Sequence, residues 1–449
     1  MTTQHRREHE SKFAKLFSYF VLGFVLVFTQ GLEYYGWFAS ANGKILNFFL
    51  SRNGRDSAPN SKLDRGVVTV EIDDKGYQQC FQGRSPMDPE QVWRLVSLVQ
   101  NAGAAVIGVD IFTDADEYAG EYKNIAQRIT RPESIVWASA AQHSWDYAPS
   151  FWGWLIGKED AIIAEPTQVL GFEPLSIKSP PPVLWALPLF PREDDSTIRR
   201  LPLDITVTED IRTPEGGDAK PLFARLIAKQ YCAFLRTKGE PCSQQKGDEI
   251  LIPYGGDAPR RLRLSDFLYC SAATKAGERP GSMDYLPDTR DLFQSLVKDK
   301  VALIGGTFGS VDLHDSPKGR IPGLFINAYA VKAQIEGSAY FAVDQPFAWM
   351  LDLLLGLLFL FVEHWTESRE WTHKHRVFLF ASFLVCWVVI LVYLGLATTT
   401  WLKYIPGFVT IIIGMSVHEF IRLARAYIKS NRLNPKHTDR SSRPALHQE

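Results

Sequence analysis

The apolar residues of this chain gather in four long runs, one near the start and three after residue 346. Leu16–Leu32, Phe347–Val362, Val377–Ala397 and Ile405–Phe420 approach or reach the roughly 20 apolar residues that a spanning helix needs. Between the first run and the second, short β-branched stretches alternate with helical periodicity. The pattern predicts an α/β extracytoplasmic domain with a mainly parallel central sheet, plus four transmembrane α-helices. In chain order the predicted segments are a cytoplasmic N-terminus (1–15), a first span (16–36), a periplasmic domain (37–345) and a second span (346–365). A cytoplasmic loop (366–376), a third span (377–398), a periplasmic turn (399–403), a fourth span (404–421) and a cytoplasmic tail (422–449) follow.

Charge sets the orientation. Arg6, Arg7, Lys12 and Lys15 precede the first run, Arg369, Lys374 and Arg376 sit between the second and third, and Arg422, Arg425, Lys429, Arg432 and Lys436 follow the fourth. The turn between the third and fourth runs carries only Lys403. Basic residues stay on the cytoplasmic side, so both ends are expected inside and the large domain outside, at a bacterial inner membrane. Tyr34, Tyr35, Trp37, Phe38, Trp349, Trp365, Trp401 and Tyr404 stand where interfacial aromatics belong. A competing reading takes Ala39-Ser40-Ala41 as a signal-peptide cleavage site, leaving three spans; the bulky Tyr34–Phe38 stretch and the length of the apolar run favour retention.

The net charge of −1 averages over two compartments, and no basic footprint for nucleic acid stands out. Four of the five cysteines, Cys80, Cys232, Cys242 and Cys270, lie in the middle domain, which fits an oxidising compartment. Four cysteines allow three pairings. Lys238-Gly239-Glu240-Pro241 can turn the chain back, which favours Cys232–Cys242 and leaves Cys80–Cys270. No C-x-x-C element points to zinc or redox chemistry.

Within the domain, Gly66–Asp74 reads as a buried strand ending in two carboxylates. Asp88-Pro89-Glu90-Gln91 has the form of a helix start, and Val92, Leu95, Val96 and Val99 follow at helical spacing until Asn101-Ala102-Gly103. Ala104–Phe112 is a second strand, so the two strands are expected to be parallel neighbours in a right-handed crossover. Asp114–Thr130 reads as a helix, Ser134–Ala140 as a strand, Leu222–Lys238 as a helix and Glu249–Tyr254 as a strand. Weaker patterns suggest strands at Ala161–Ala164 and Leu201–Val207 and a helix starting over Ser265–Cys270. Lys300–Thr307 is a buried strand running into a glycine pair, and Leu324–Glu336 reads as a helix.

In open α/β sheets ligands sit beyond the carboxyl ends of the strands. Asp73, Asp74, Asp110, Gly305, Gly306, Thr307 and Asp312 fall at or just after such ends, which makes them the candidate ligand-binding residues. The alternative for the first three is structural: Asp73 and Asp74 capping the next turn and Asp110 bonded to backbone. His314 reads as a loop residue, and Arg199-Arg200 as either an anion clamp or an exposed turn. The glycine pair lacks the spacing of a dinucleotide or phosphate loop. Asp352 inside the second span is either an interhelical contact or an interfacial group, and His364, His373 and His375 read as residues that position a short loop, with a metal site as the alternative. No nucleophile stands beside a general base, so no catalytic residue, metal or cofactor is assigned and no enzyme is expected.

Val70-x-Ile72-Asp73-Asp74, Gly108-x-Asp110-Ile111-Phe112, Ile304-Gly305-Gly306-Thr307, Asp312 ahead of Ser316-Pro317, and Pro322-Gly323 with Asn327-Ala328 follow one another in this order. Over about Val67–Phe420 the order resembles the second class of CHASE domains, extracytoplasmic sensory modules of bacterial receptors usually followed by three spans. Two positions depart: Asn327 stands where the family commonly has His, and Ser316-Pro317 where it has Thr-Pro. Such receptors usually end in a cytoplasmic kinase or cyclase, whereas residues 422–449 are too few to fold unaided. The resemblance implies a sensor of an unknown small-molecule or envelope stimulus that signals through a separate cytoplasmic output protein and forms a homodimer. A membrane scaffold of an envelope complex, sensing nothing, is the alternative.

Overall fold

The computed structural model describes residues 39–52, 66–138 (112 and 114–118 aside), most of 183–207, 218–242, 249–271 (256–257 aside) and 282–342 (310–311 aside). The pairs 144–145, 164–165 and 400–401 and single helical positions at 24, 28 and between 350 and 389 complete the set. The chain divides into two compact units: Gly43–Pro346 with Cys386–Leu402, and Met1–Asn42 with Phe347–Val385 and Lys403–Glu449. The architecture below is that of the first.

Its principal strands and helices, in chain order, are α1 (Ala39–Arg52), β1 (Val67–Ile72), α2 (Asp74–Phe81), α3 (Pro89–Asn101), β2 (Val106–Asp110), α4 (Ala119–Ala126), β3 (Ile135–Ala138) and β4 (Leu184–Ala186). Then come α5 (Phe223–Thr237), β5 (Arg260–Arg263), α6 (Arg290–Val297), β6 (Val301–Gly306), β7 (Leu313–Ser316), β8 (Gly319–Pro322) and α7 (Gly323–Glu336). The central sheet has six strands in the order β5-β1-β6-β2-β3-β4, and every pairing in it is parallel. A parallel sheet must be covered on both faces, and β1 is accordingly buried at all six positions.

Alternation along the strands assigns each residue to a face. Val68, Val70, Ile72, Ile107, Val109, Ala302 and Ile304 join Val92, Leu95, Val96 and Val99 of α3 and Phe293 and Val297 of α6 in one core. Each such aliphatic side chain contributes about 1.5–3 kcal/mol by leaving water. The opposite face packs on α5 and α7. Gly108 lies there because a Cβ would meet Ile227 at 2.5 Å and Leu303 at 2.6 Å.

Helix ends follow local chemistry. Asp88 caps α3 by accepting from the Glu90 N–H at 2.9 Å, with Pro89 at the first helical position, as the sequence predicts. Past α3, Gly103 takes φ +88°, which a side chain would resist.

β1 and β2 belong to the same parallel sheet, but β6 inserts between them, so they are not the direct neighbours expected. Leu184–Ala186 and Arg260–Arg263 join the sheet although neither stood out in the sequence; each is only three or four residues long. The helix expected over Ser265–Cys270 is a single turn, Leu264–Phe267, followed by a strand at Leu268–Cys270 that pairs with Met283–Tyr285. The Leu201–Val207 strand is split: Arg200–Pro202 pairs with Glu249–Leu251, and Asp204–Val207 with Asp218–Pro221.

Both disulfides form in the pairing the sequence favoured: Cys80–Cys270, joining α2 to the Leu268–Cys270 strand, and Cys232–Cys242, closing the end of α5. Among the described residues no helix is long and apolar enough to cross a membrane. The four predicted spans fall mostly outside the described residues, as do Asp352, His364 and His373.

Candidate functional site

At the carboxyl end of the sheet the chain leaves neighbouring strands toward opposite faces. β1 leads into α2, which packs with the α3 side, whereas β6 leads to α7 on the other side. β2, on the far side of β6, again continues toward α4, which packs on α3. Strands whose connections diverge open a crevice, the usual ligand position in such sheets. Such a divergence flanks β6 on either side.

Register places Glu71, Gly305 and Asp110 in one row across β1, β6 and β2, facing α7. Gly305 has no room for a side chain, since a Cβ would lie 2.8 Å from Leu324 at the start of α7. The two flanking carboxylates then meet different partners. Glu71 is fully buried and held by Arg261 of β5 through two bonds of 2.7 Å, and the guanidinium lies over the Phe325 ring at 4.4 Å. Asp110 instead accepts from the buried Asn327 amide at 2.9 Å.

Asp312 completes this side. Its Oδ2 and its backbone carbonyl both accept from the Gly323 N–H that opens α7, at 3.1 and 3.0 Å, a position where the helix dipole favours negative charge. Its Oδ1 lies 2.8 Å from His314 Nε2. The His314 ring packs edge-on to Phe190 at 5.3 Å, and its Nδ1 is buried with no hydrogen-bond partner among the described residues.

The electrostatic result is a displaced acid. Burial first, then the Asp312 charge, push Asp110 from 3.8 up to about 7, against the opposing pull of the Asn327 hydrogen bond and of His314. Asp110 therefore carries its proton about half the time at neutral pH. The cluster can take up or release a proton near neutrality, and it offers carboxylate oxygens to a donor-bearing ligand.

Asp73 and Asp74 lie on the other side of β6. Asp73 caps α2 by accepting from the Gly76 N–H, and it also accepts from the Ser265 N–H at 3.2 Å and hydroxyl at 2.6 Å. Asp74 accepts from the Gly309 N–H at 2.9 Å. Gly305 and Gly306 are strand residues rather than a free loop, and the Thr307 N–H donates to Ile72 O at 3.0 Å. Phe308 covers Gly306 and stacks on Tyr77 with centroids 3.8 Å apart. The seven candidates thus fall into two groups: Asp110, Gly305 and Asp312 with α7, and Asp73, Asp74, Gly306 and Thr307 with α2. Among the described residues no three His, Cys, Asp or Glu side chains are placed to hold a metal ion.

His314 and Asn327 were not among the sequence candidates, yet both touch the cluster. The available signals were the Asp312-x-His314 spacing, which puts both on one side of an extended segment, and a polar Asn within an otherwise apolar helix. Arg199, read as a clamp or an exposed turn, is 1% exposed and bonds Asn47 of α1 at 2.7 Å.

The raised carboxylate Asp110 stands at the carboxyl end of a parallel strand, where ligands usually sit in open α/β sheets. The CHASE2 domain family matches residues 19–363. The chain belongs to that family of extracytoplasmic sensory domains. No curated protein and no solved structure matches it significantly.

Proposed function

We propose that this chain is an inner-membrane sensor whose periplasmic domain receives its stimulus at the Asp110, Asp312, His314 and Asn327 cluster. The convergence of a strand end, a hairpin and a helix start on one carboxylate poised near neutrality carries this reading. A ligand that binds one arrangement of these three elements better than another shifts the population toward it.

Membrane anchoring rests on the four apolar runs and on the helical positions described within them. Phe24, Phe28, Met350, Leu353, Leu354, Leu357, Leu358, Phe361, Phe378, Val385 and Val389 are helical, with large apolar side chains exposed. Water does not favour so many such groups on helices, whereas lipid does. Thr400–Trp401, in the turn expected outside, pairs with Phe341–Ala342 at the domain's end, which fits a shared periplasmic side.

On this reading the segment after the fourth span hands the signal to a separate cytoplasmic partner. The test is recovery of partners from cross-linked membranes with the full chain and with one ending at Leu423. A kinase, cyclase or regulator lost with the tail supports the sensor; identical partners from both overturn tail-mediated output and leave a scaffold.

A further inference from the structure

The candidate site is connected by consecutive backbone and side-chain contacts to the helix that follows the first predicted span. His314 and Asp312 flank Leu313, the first residue of β7, and two residues further along this hairpin strand Asp315 bridges to Thr197 and accepts from the Ile198 N–H at 2.8 Å. The next residue, Arg199, is buried and donates from Nε to Asn47 Oδ1 of α1 at 2.7 Å. The same three-residue segment reaches a second exit. The Arg199 carbonyl accepts from the Ile252 N–H at 2.8 Å, and Leu251 exchanges both backbone bonds with Tyr340. Tyr340 leads directly into Phe341–Ala342, paired with Thr400–Trp401.

Thr197–Arg199 therefore touches the hairpin of the site and the helix after the first predicted span, and through Ile252 it adjoins Leu251, which pairs with Tyr340 ahead of the second. It is held on each side by hydrogen bonds rather than by apolar packing alone. Tyr254 fixes its middle, donating to the Ile198 carbonyl at 2.9 Å and packing on Tyr329 of α7 at 5.3 Å. A short extended segment tied at every residue transmits a displacement instead of absorbing it.

We infer that Thr197–Ile198–Arg199 is a transmission joint that couples the β7–β8 hairpin to α1 through the Arg199–Asn47 contact. The inference rests on the reading of the Asp110 cluster as the input. A change of charge at Asp110 repositions Asp312, His314 and the hairpin, and the joint carries that shift to α1. Shifts of packed helices in such transitions are about 1–2 Å.

The test uses the full chain in membranes with Cys386→Ser and pairs of spin labels. Lys44→Cys on α1 and Arg320→Cys on β8, both exposed, are each measured against Gln294→Cys, exposed on α6 of the opposite face. Asp110→Asn is the perturbation, and Asn47→Ala breaks the joint while Asn47→Asp keeps an acceptor for Arg199. The expected result is that Asp110→Asn shifts both distances by about 1–2 Å. Asn47→Ala abolishes the α1 shift and leaves the hairpin shift, and Asn47→Asp restores it. A hairpin shift without an α1 shift, or an α1 shift that survives Asn47→Ala, overturns the joint while leaving the input site standing. No shift at either label overturns both.

Discussion

Replacing Asp110 by Asn removes the charge that the fold resists while keeping the shape of the side chain and a partner for Asn327. Moving a carboxyl from 3.8 to about 7 corresponds to about 4 kcal/mol at 1.36 kcal/mol per pKa unit. The folded state holds its proton more tightly than the unfolded one, so the stability tied to Asp110 is fully present below pH 3.8 and is lost as pH rises through about 7. At pH 5 the unfolded chain is already mostly ionised and the smaller part of this stability has gone; by pH 8 nearly all has. The variant has no such dependence. Its advantage over the native chain should therefore grow by about 3 kcal/mol between pH 5 and pH 8. At roughly 2 °C per kcal/mol for a domain of this size, that is about 6 °C in the midpoint difference. Thermal unfolding of both full chains, followed by tryptophan fluorescence at several pH values, measures it. A difference that stays constant from pH 5 to pH 8 would show Asp110 titrating as an ordinary carboxyl and refute the argument.

Arg261→Ala leaves the buried Glu71 carboxylate without its partner and should cost about 3–5 kcal/mol, read by denaturant unfolding; Glu71→Gln combined with it should recover part of the loss. Gly305→Ala drives a Cβ into Leu324 and should destabilise by about 1–3 kcal/mol, with Leu324→Ala relieving the clash in the double variant. Removing Cys80–Cys270, which spans a sequence separation of 190, should cost about 2–5 kcal/mol, visible as a lowered unfolding midpoint. Cysteine placed at Lys44 should react with a membrane-impermeant maleimide added outside spheroplasts, and one at Arg425 should react only after permeabilisation.

Sequence reasoning located the long buried strands because β1 and β6 are continuous β-branched or apolar runs between turn signals. It found α3 from the Asp88 cap and the heptad-like spacing of its apolar residues. Edge strands β4 and β5 escaped it: Arg260-Arg261-Leu262-Arg263 offers a single buried side chain, and its pairing with β1 is a long-range choice that no local pattern encodes. The order of strands escaped for the same reason, since β6 inserts between β1 and β2 from nearly two hundred residues away. Asp110 was legible as a strand-end carboxylate, whereas Asp312, expected just after a strand end, stands ahead of the β7 hairpin strand. What joined them was not legible, because the meeting of His314 and Asn327 with these acids depends on how the hairpin folds back onto α7. Adjacent in sequence to a strand end, Asp73 and Asp74 looked equivalent to Asp110, yet alternation and the insertion of β6 put them on the other side.

The most direct test of the sensor account is the recovery of cytoplasmic partners from cross-linked membranes of cells carrying the native chain or Asp110→Asn, with equal amounts of folded, disulfide-bonded protein. The account predicts that the substitution changes how much partner is recovered while the domain stays intact. Equal recovery from the two would contradict it, because a change of charge at the input site would then have left the output untouched.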